Sequence, residues 1–126
     1  MREAIRDRER LLHIINAIDT ILDRVEGMTF EALKADRIVF GGIAYYTMII
    51  GEASYKLTRN FIEKHPDIPW QSIADMRHHI VHGYYQIDVR ILWNVIQNDL
   101  RPLKSEIEKI LAETNWKEWE QAGTVR

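Results

Sequence analysis

Ile38-Val39-Phe40-Gly41-Gly42-Ile43-Ala44-Tyr45-Tyr46-Thr47-Met48-Ile49-Ile50-Gly51 is the longest nearly uninterrupted apolar stretch of the chain. A helix that spans a bilayer needs roughly 20 apolar residues, so this stretch is too short for one and reads as a helix buried in protein. Wound as a helix it is apolar nearly all round, which is more surface than one neighbouring helix covers. The pattern therefore predicts a long helix, from about Asp36 to about Thr58, at the centre of a bundle, with apolar surface left over.

Working outward, Ile5, Leu12, Ile15, Ile18, Leu22 and Val25 recur at steps of three, four and seven and predict an amphipathic first helix that ends at Gly27. Thr29 before Phe30-Glu31-Ala32 is an N-cap signal for a short helix, because its hydroxyl accepts from an otherwise orphan backbone amide. Pro66 and Pro69 mark a loop, since proline has no amide hydrogen and restricts the residue before it. A further helix is expected from Gln71 to about His82, with Gly83 as its stop. Asp88 is placed to cap the last long helix, whose stripe runs through Val89, Leu92, Trp93, Ile96, Leu100, Leu103, Ile107 and Leu111, with a kink expected at Pro102. The tail from Thr114 holds Trp116 and Trp119 but has little periodicity to place them. No segment alternates like a strand and no repeat is visible. The expected fold is an all-α, up-and-down bundle of four main helices with one short extra helix, a single domain over residues 1–126.

Composition narrows the function. There are no cysteines, so a disulfide framework, a thiolate zinc site and a cysteine nucleophile are excluded, and a reducing cytoplasm fits. Arg2, Glu3, Arg6, Asp7, Arg8, Glu9 and Arg10 leave no room near the start for an apolar signal-peptide core. These alternating charges read as a solvated helix face. The formal net charge of −2 argues against a protein that coats nucleic acid non-specifically, though a local basic site is compatible with it.

The chemistry is concentrated in Arg77-His78-His79-Ile80-Val81-His82-Gly83-Tyr84. Arginine carries a permanent charge on a planar fork that suits phosphate oxygens, and histidine is the side chain whose proton moves most readily near pH 7. On a straight helix His82 would lie about 140° round from Arg77 and about 7.5 Å further along, so the two would not share a face. A second copy of the helix, packed through the surplus apolar surface, is one way to close the pair around a phosphate. His78 and His82, four apart, have the spacing of a two-histidine metal pair, but no third ligand accompanies them and no metal site is expected. His78 is read as assisting at a polar edge or as simply solvated, His79 as structural and Tyr85 as packing. Glu52 is a carboxylate on an otherwise apolar helix and needs a partner, for which Arg77 is one candidate.

The spacing of Arg77, His82 and Tyr84 resembles the Arg-x4-His-x-Tyr motif of HEPN-domain toxins of the HepT type. Ile50-Gly51-Glu52-Ala53, His65-Pro66-Asp67-Ile68-Pro69-Trp70, Met76-Arg77 and Asn98-Asp99-Leu100 resemble that family in the same order, so the likeness covers nearly the whole chain. One departure is Gly83, where the family frequently has an acidic residue. The resemblance implies a HEPN-like helical fold and a homodimer with a composite site. It implies a metal-independent endoribonuclease without cofactor, with Arg77 and His82 catalytic, His78 and Glu52 supporting, and RNA as substrate. It also implies a minimal nucleotidyltransferase antitoxin that silences the toxin by attaching AMP to Tyr84. The rival expectation is a non-catalytic HEPN module that binds a nucleotide or a partner.

Overall fold

At Gly51 two helices come so close that a side chain would not fit freely. A Cβ there would lie 3.2 Å from the Ala74 carbonyl oxygen, 3.3 Å from Arg77 Cβ and 3.4 Å from the Ile73 carbonyl oxygen. The computed structural model describes residues 5–83 and 85–123. In it this contact joins α3 (Arg37–Tyr55) to α5 (Trp70–Ile80). On its other side α3 packs along α1 (Asp7–Val25), which also meets α7 (Leu100–Glu113). With α6 (Val89–Asn98) running into α7, these elements form the four-helix, all-α bundle. Short helices α2 (Phe30–Ala35), α4 (Arg59–Lys64) and α8 (Trp116–Gly123) fill the connections, so three short helices stand where one was expected. No described helix is long and apolar enough to cross a membrane.

Capping explains most of the boundaries. Thr29, Asp36, Thr58 and Asp88 accept side-chain hydrogen bonds from the amides of Ala32, Val39, Phe61 and Ile91, each satisfying a donor that the first turn leaves unpaired. Thr58 thus opens α4 and does not end α3, which stops at Tyr55. The bend of the last helix falls at Asp99 and not at Pro102. Proline at 102 cannot donate to the carbonyl four residues back and its ring crowds it, so the ladder breaks at residue 98 and Pro102 itself sits harmlessly in the first turn of α7.

Three further expectations need correcting. The buried face of α1 is Leu11, Ile14, Ile18, Ile21 and Val25, with Ile5 and Leu12 exposed. Both faces of this helix are apolar enough to be buried, and contact with α3 and α7 selects between them. The tail is not featureless. Trp116 stacks at 6.4 Å on Phe61 and Trp119 meets the same ring edge-on at 5.8 Å. Trp119 Nε1 donates to Asp7 Oδ2 at 3.1 Å, and Asp7 also accepts from the Thr58 amide (2.9 Å) and hydroxyl (2.7 Å), tying α8 and α4 to the start of α1.

The third correction concerns the motif. Helix α5 ends at Ile80, and Val81–His82 (β1) pairs antiparallel with Gln86–Ile87 (β2), in the register Val81 with Ile87 and His82 with Gln86. Ile80 and Val81 are β-branched and suit extended backbone. The Asp88 amide donates to the Ile80 carbonyl at 2.8 Å, which satisfies a helix-end acceptor from across the hairpin. Gly83 turns the hairpin with φ +66°, a left-handed conformation that costs glycine little.

Candidate functional site

Arg77 lies in the last turn of α5 and is held from three directions by α3. Its side chain is 14% exposed, and its Nε stands 3.3 Å from Glu52 Oε1. The same N–H donates to His78 Nε2 at 3.2 Å, while Nη1 reaches the Gly51 carbonyl at 3.5 Å. The guanidinium carbon lies 4.4 Å from the centre of the Tyr55 ring, a cation–π contact. Gly51, Glu52 and Tyr55 share one side of α3, and the absence of a side chain at Gly51 lets α5 come close enough for all three contacts.

The polar contacts use Nε and Nη1. Among the described residues no hydrogen bond is formed by Nη2, so part of the donor set of this permanently charged group is uncommitted. Glu52 is half exposed, and Arg77 keeps a small part of its side chain at the surface.

His82 is exposed at the end of β1. It is separated from Arg77 by one helical turn and two extended residues, at most about 11 Å of chain. Because His82 has left the helix, it does not share a helix face with His78, and the geometric basis of a two-histidine metal pair is gone. Among the described residues no group of three or more His, Asp or Glu side chains is placed to hold a metal ion. His79 is exposed, not structural. Tyr84 lies outside the described residues. Its neighbour Tyr85 is 72% exposed, so it is not buried packing.

His82 opens into a groove of about 990 Å³ between the hairpin, α2, α3 and α6, whose lining includes Lys34, Arg37, Tyr85, Gln86 and Arg90. Along α3, Ile38 (86% exposed), Tyr45, Met48 and Tyr55 form an apolar stripe facing outward. This is the surplus surface expected from the composition of α3.

A family model described as Ribonuclease HepT-like matches residues 14–110. The chain belongs to the HepT-like ribonuclease family. It is similar to a protein named "Putative RNase TTE0752" from Caldanaerobacter subterraneus subsp. tengcongensis, with 34% identity over 82% of this chain and 93% of the relative. It is equally similar, at 34% identity over 82% of this chain and 94% of the relative, to a protein named "Probable ribonuclease HepT" from Thermococcus cleftensis. A "Putative RNase MJ0127" from Methanocaldococcus jannaschii is 31% identical over 82% of this chain and 86% of its own length. No solved structure matches the chain.

For this HepT-like chain, sequence reading offered Glu52 as one candidate partner of Arg77, and the structure places the two together. It brings His78 into the same cluster. It does not bring His82 into contact with Arg77. Tyr55 under the guanidinium and the cations of the His82 groove were missed. Tyr55 was open to detection, since residues 51, 52 and 55 fall on one helix face. The groove was not, because Lys34, Arg37 and Arg90 meet only in the fold.

Proposed function

We propose that the chain is the toxin of a toxin–antitoxin pair, an endoribonuclease that needs no metal and works as a homodimer. In this reading the guanidinium of Arg77 grips the scissile phosphate. His82 takes the proton of the adjacent ribose 2′-hydroxyl, that oxygen bonds to phosphorus, and the bond from phosphorus to the 5′-oxygen breaks. The proton that His82 has taken is then available to the departing oxygen. A positioned general acid or base contributes about 10²–10⁴-fold, and a cation fixed on the developing charge contributes a comparable factor. Glu52 and His78 act by holding Arg77 in one orientation. A guanidinium tethered through Nε and Nη1 in the last turn of α5, with no hydrogen bond from Nη2 to the described residues, is the observation that carries this proposal.

The exposed stripe on α3 supports the dimer. Ile38, Tyr45, Met48 and Tyr55 recur at steps of seven, three and seven, which is the spacing of a helix-to-helix contact. Tyr55 ends that stripe and lies under Arg77, so a second protomer docked there arrives beside the guanidinium. Its His82 then completes the site. In the same reading Tyr84 receives AMP from a minimal nucleotidyltransferase antitoxin, which adds bulk and phosphate charge next to His82 and competes with RNA.

Subunit mixing tests the composite site. Arg77→Ala and His82→Ala proteins, each inactive, are co-refolded in equal amounts and assayed on RNA. Half of the dimers are mixed and each carries one intact site, so activity returns to about a quarter of wild type. No recovery removes the shared site. Co-expression with a nucleotidyltransferase, followed by intact mass of wild type and Tyr84→Phe, tests the modification.

A further inference from the structure

The groove into which His82 opens has a charge character that the chain as a whole lacks. Net charge is −2, yet three cations from three elements converge on this groove: Lys34 at the end of α2, Arg37 at the start of α3 and Arg90 at the start of α6. All three are exposed. Among the described residues none of the three lies within 4.0 Å of a carboxylate, whereas Arg6, Arg59, Arg77 and Lys104 each do. Asp88 is the one acid in the lining among the described residues, and its carboxylate is occupied in capping α6 through the Ile91 amide. Arg90 is also held in place. Its guanidinium carbon stands 3.6 Å above the Phe30 ring, whose orientation is fixed edge-on by Trp93. A stacked guanidinium has lost its side-chain freedom before any ligand arrives and keeps its in-plane donors.

We propose that this groove holds the sugar–phosphate backbone of the RNA strand next to the cleaved bond, with Lys34, Arg37 and Arg90 as phosphate contacts. The inference rests on the ribonuclease reading above. A polyanion with one charge per nucleotide matches three cations spread along a groove, and His82 in its wall places the reactive end of the strand. An acidic protein segment is the competing occupant. It is less well matched, because nothing would then require the cations to share a groove with His82.

The test uses a fluorescent 2′-O-methyl RNA oligonucleotide, which has no free 2′-hydroxyl and is not cleaved, so binding is read separately from catalysis. Each phosphate contact to a single strand contributes about 0.7 to the slope of log Kd against log salt. The triple variant Lys34→Gln/Arg37→Gln/Arg90→Gln is therefore expected to lose about two units of slope and to bind about 10–100-fold more weakly at moderate salt. The variant Arg8→Gln/Arg59→Gln/Arg101→Gln removes the same charge elsewhere and is expected to keep the wild-type slope. An unchanged groove variant, or equal weakening of both variants, overturns the proposal. So does a groove that binds polyglutamate and not the oligonucleotide. If wild type binds with the expected groove dependence yet cleaves no RNA, the ribonuclease reading fails and the site does not.

Discussion

Arg77 Nε lies 3.3 Å from Glu52 Oε1, so a guanidinium on one helix takes its orientation from a carboxylate on another. Glu52 is half exposed, and ion pairs of that kind contribute only about 0–1 kcal/mol to folding. Its consequence is orientation. Glu52→Gln is expected to lower kcat about tenfold with KM within a few-fold of wild type, and to leave the melting temperature nearly unchanged. Arg77→Lys is expected to fail as Arg77→Ala does, because an ammonium cannot span Glu52 and a phosphate at once. Steady-state kinetics beside thermal melts check both. A melting temperature that falls in step with kcat would make Glu52 merely structural.

The glycines of α3 are not equivalent. A methyl group at Gly51 would press on the Ala74 and Ile73 carbonyl oxygens and on Arg77 Cβ, while one at Gly42 meets nothing within 4 Å. Overpacking costs about 1–3 kcal/mol and replacing a helical glycine by alanine returns about 1 kcal/mol. Gly51→Ala is thus expected to lose up to about 2 kcal/mol, and Gly42→Ala to gain about 0.5–1 kcal/mol. Urea denaturation of the two variants, fitted with a common slope, gives the comparison.

Asp7 accepts three hydrogen bonds at a nearly solvent-free position. Asp7→Ala leaves the Thr58 amide and the Trp119 indole without their acceptor, and the expected loss is about 2–4 kcal/mol. Tryptophan emission should shift to the red in the folded variant as α8 loosens from Phe61. An unshifted spectrum with full stability would show that α8 is held without this carboxylate.

Burial, and after it the charge of Lys64, lowers the pKa of His65 below its ordinary 6.5. The sign follows from proton binding: below pH 6.5 the unfolded chain takes up the proton before the folded one does. This contribution therefore favours the fold above that pH and is lost as the pH falls through the lowered value. Melting temperatures from about pH 7.5 to about pH 5 should drop less in His65→Gln than in wild type. Parallel curves would show that His65 does not couple to stability.

Much of the fold was legible because helix signals are local. Thr29 and Asp88 announced their helices through side chains that cap within three residues, and Gly27, expected to end α1, takes a left-handed turn with φ +78°. What escaped depends on partners far along the chain. The end of α5 at Ile80 is set by pairing with Gln86–Ile87, the buried face of α1 by α3 and α7, and the tail by Asp7 and Phe61. The site divides in the same way. Arg77 and His78 stood out by their chemistry in one short segment and Glu52 as a carboxylate on an apolar helix, whereas the cations around His82 come from helices that only folding brings together.

The central claim is that Arg77 and His82 together cleave RNA without a metal. Its most direct test is to incubate purified wild type, Arg77→Ala and His82→Ala with RNA in excess chelator and to identify the new ends. Wild type should cleave and leave 2′,3′-cyclic phosphates, while each variant falls by at least about 100-fold. Equal cleavage by all three proteins, or cleavage that appears only when a divalent metal is restored, would contradict it.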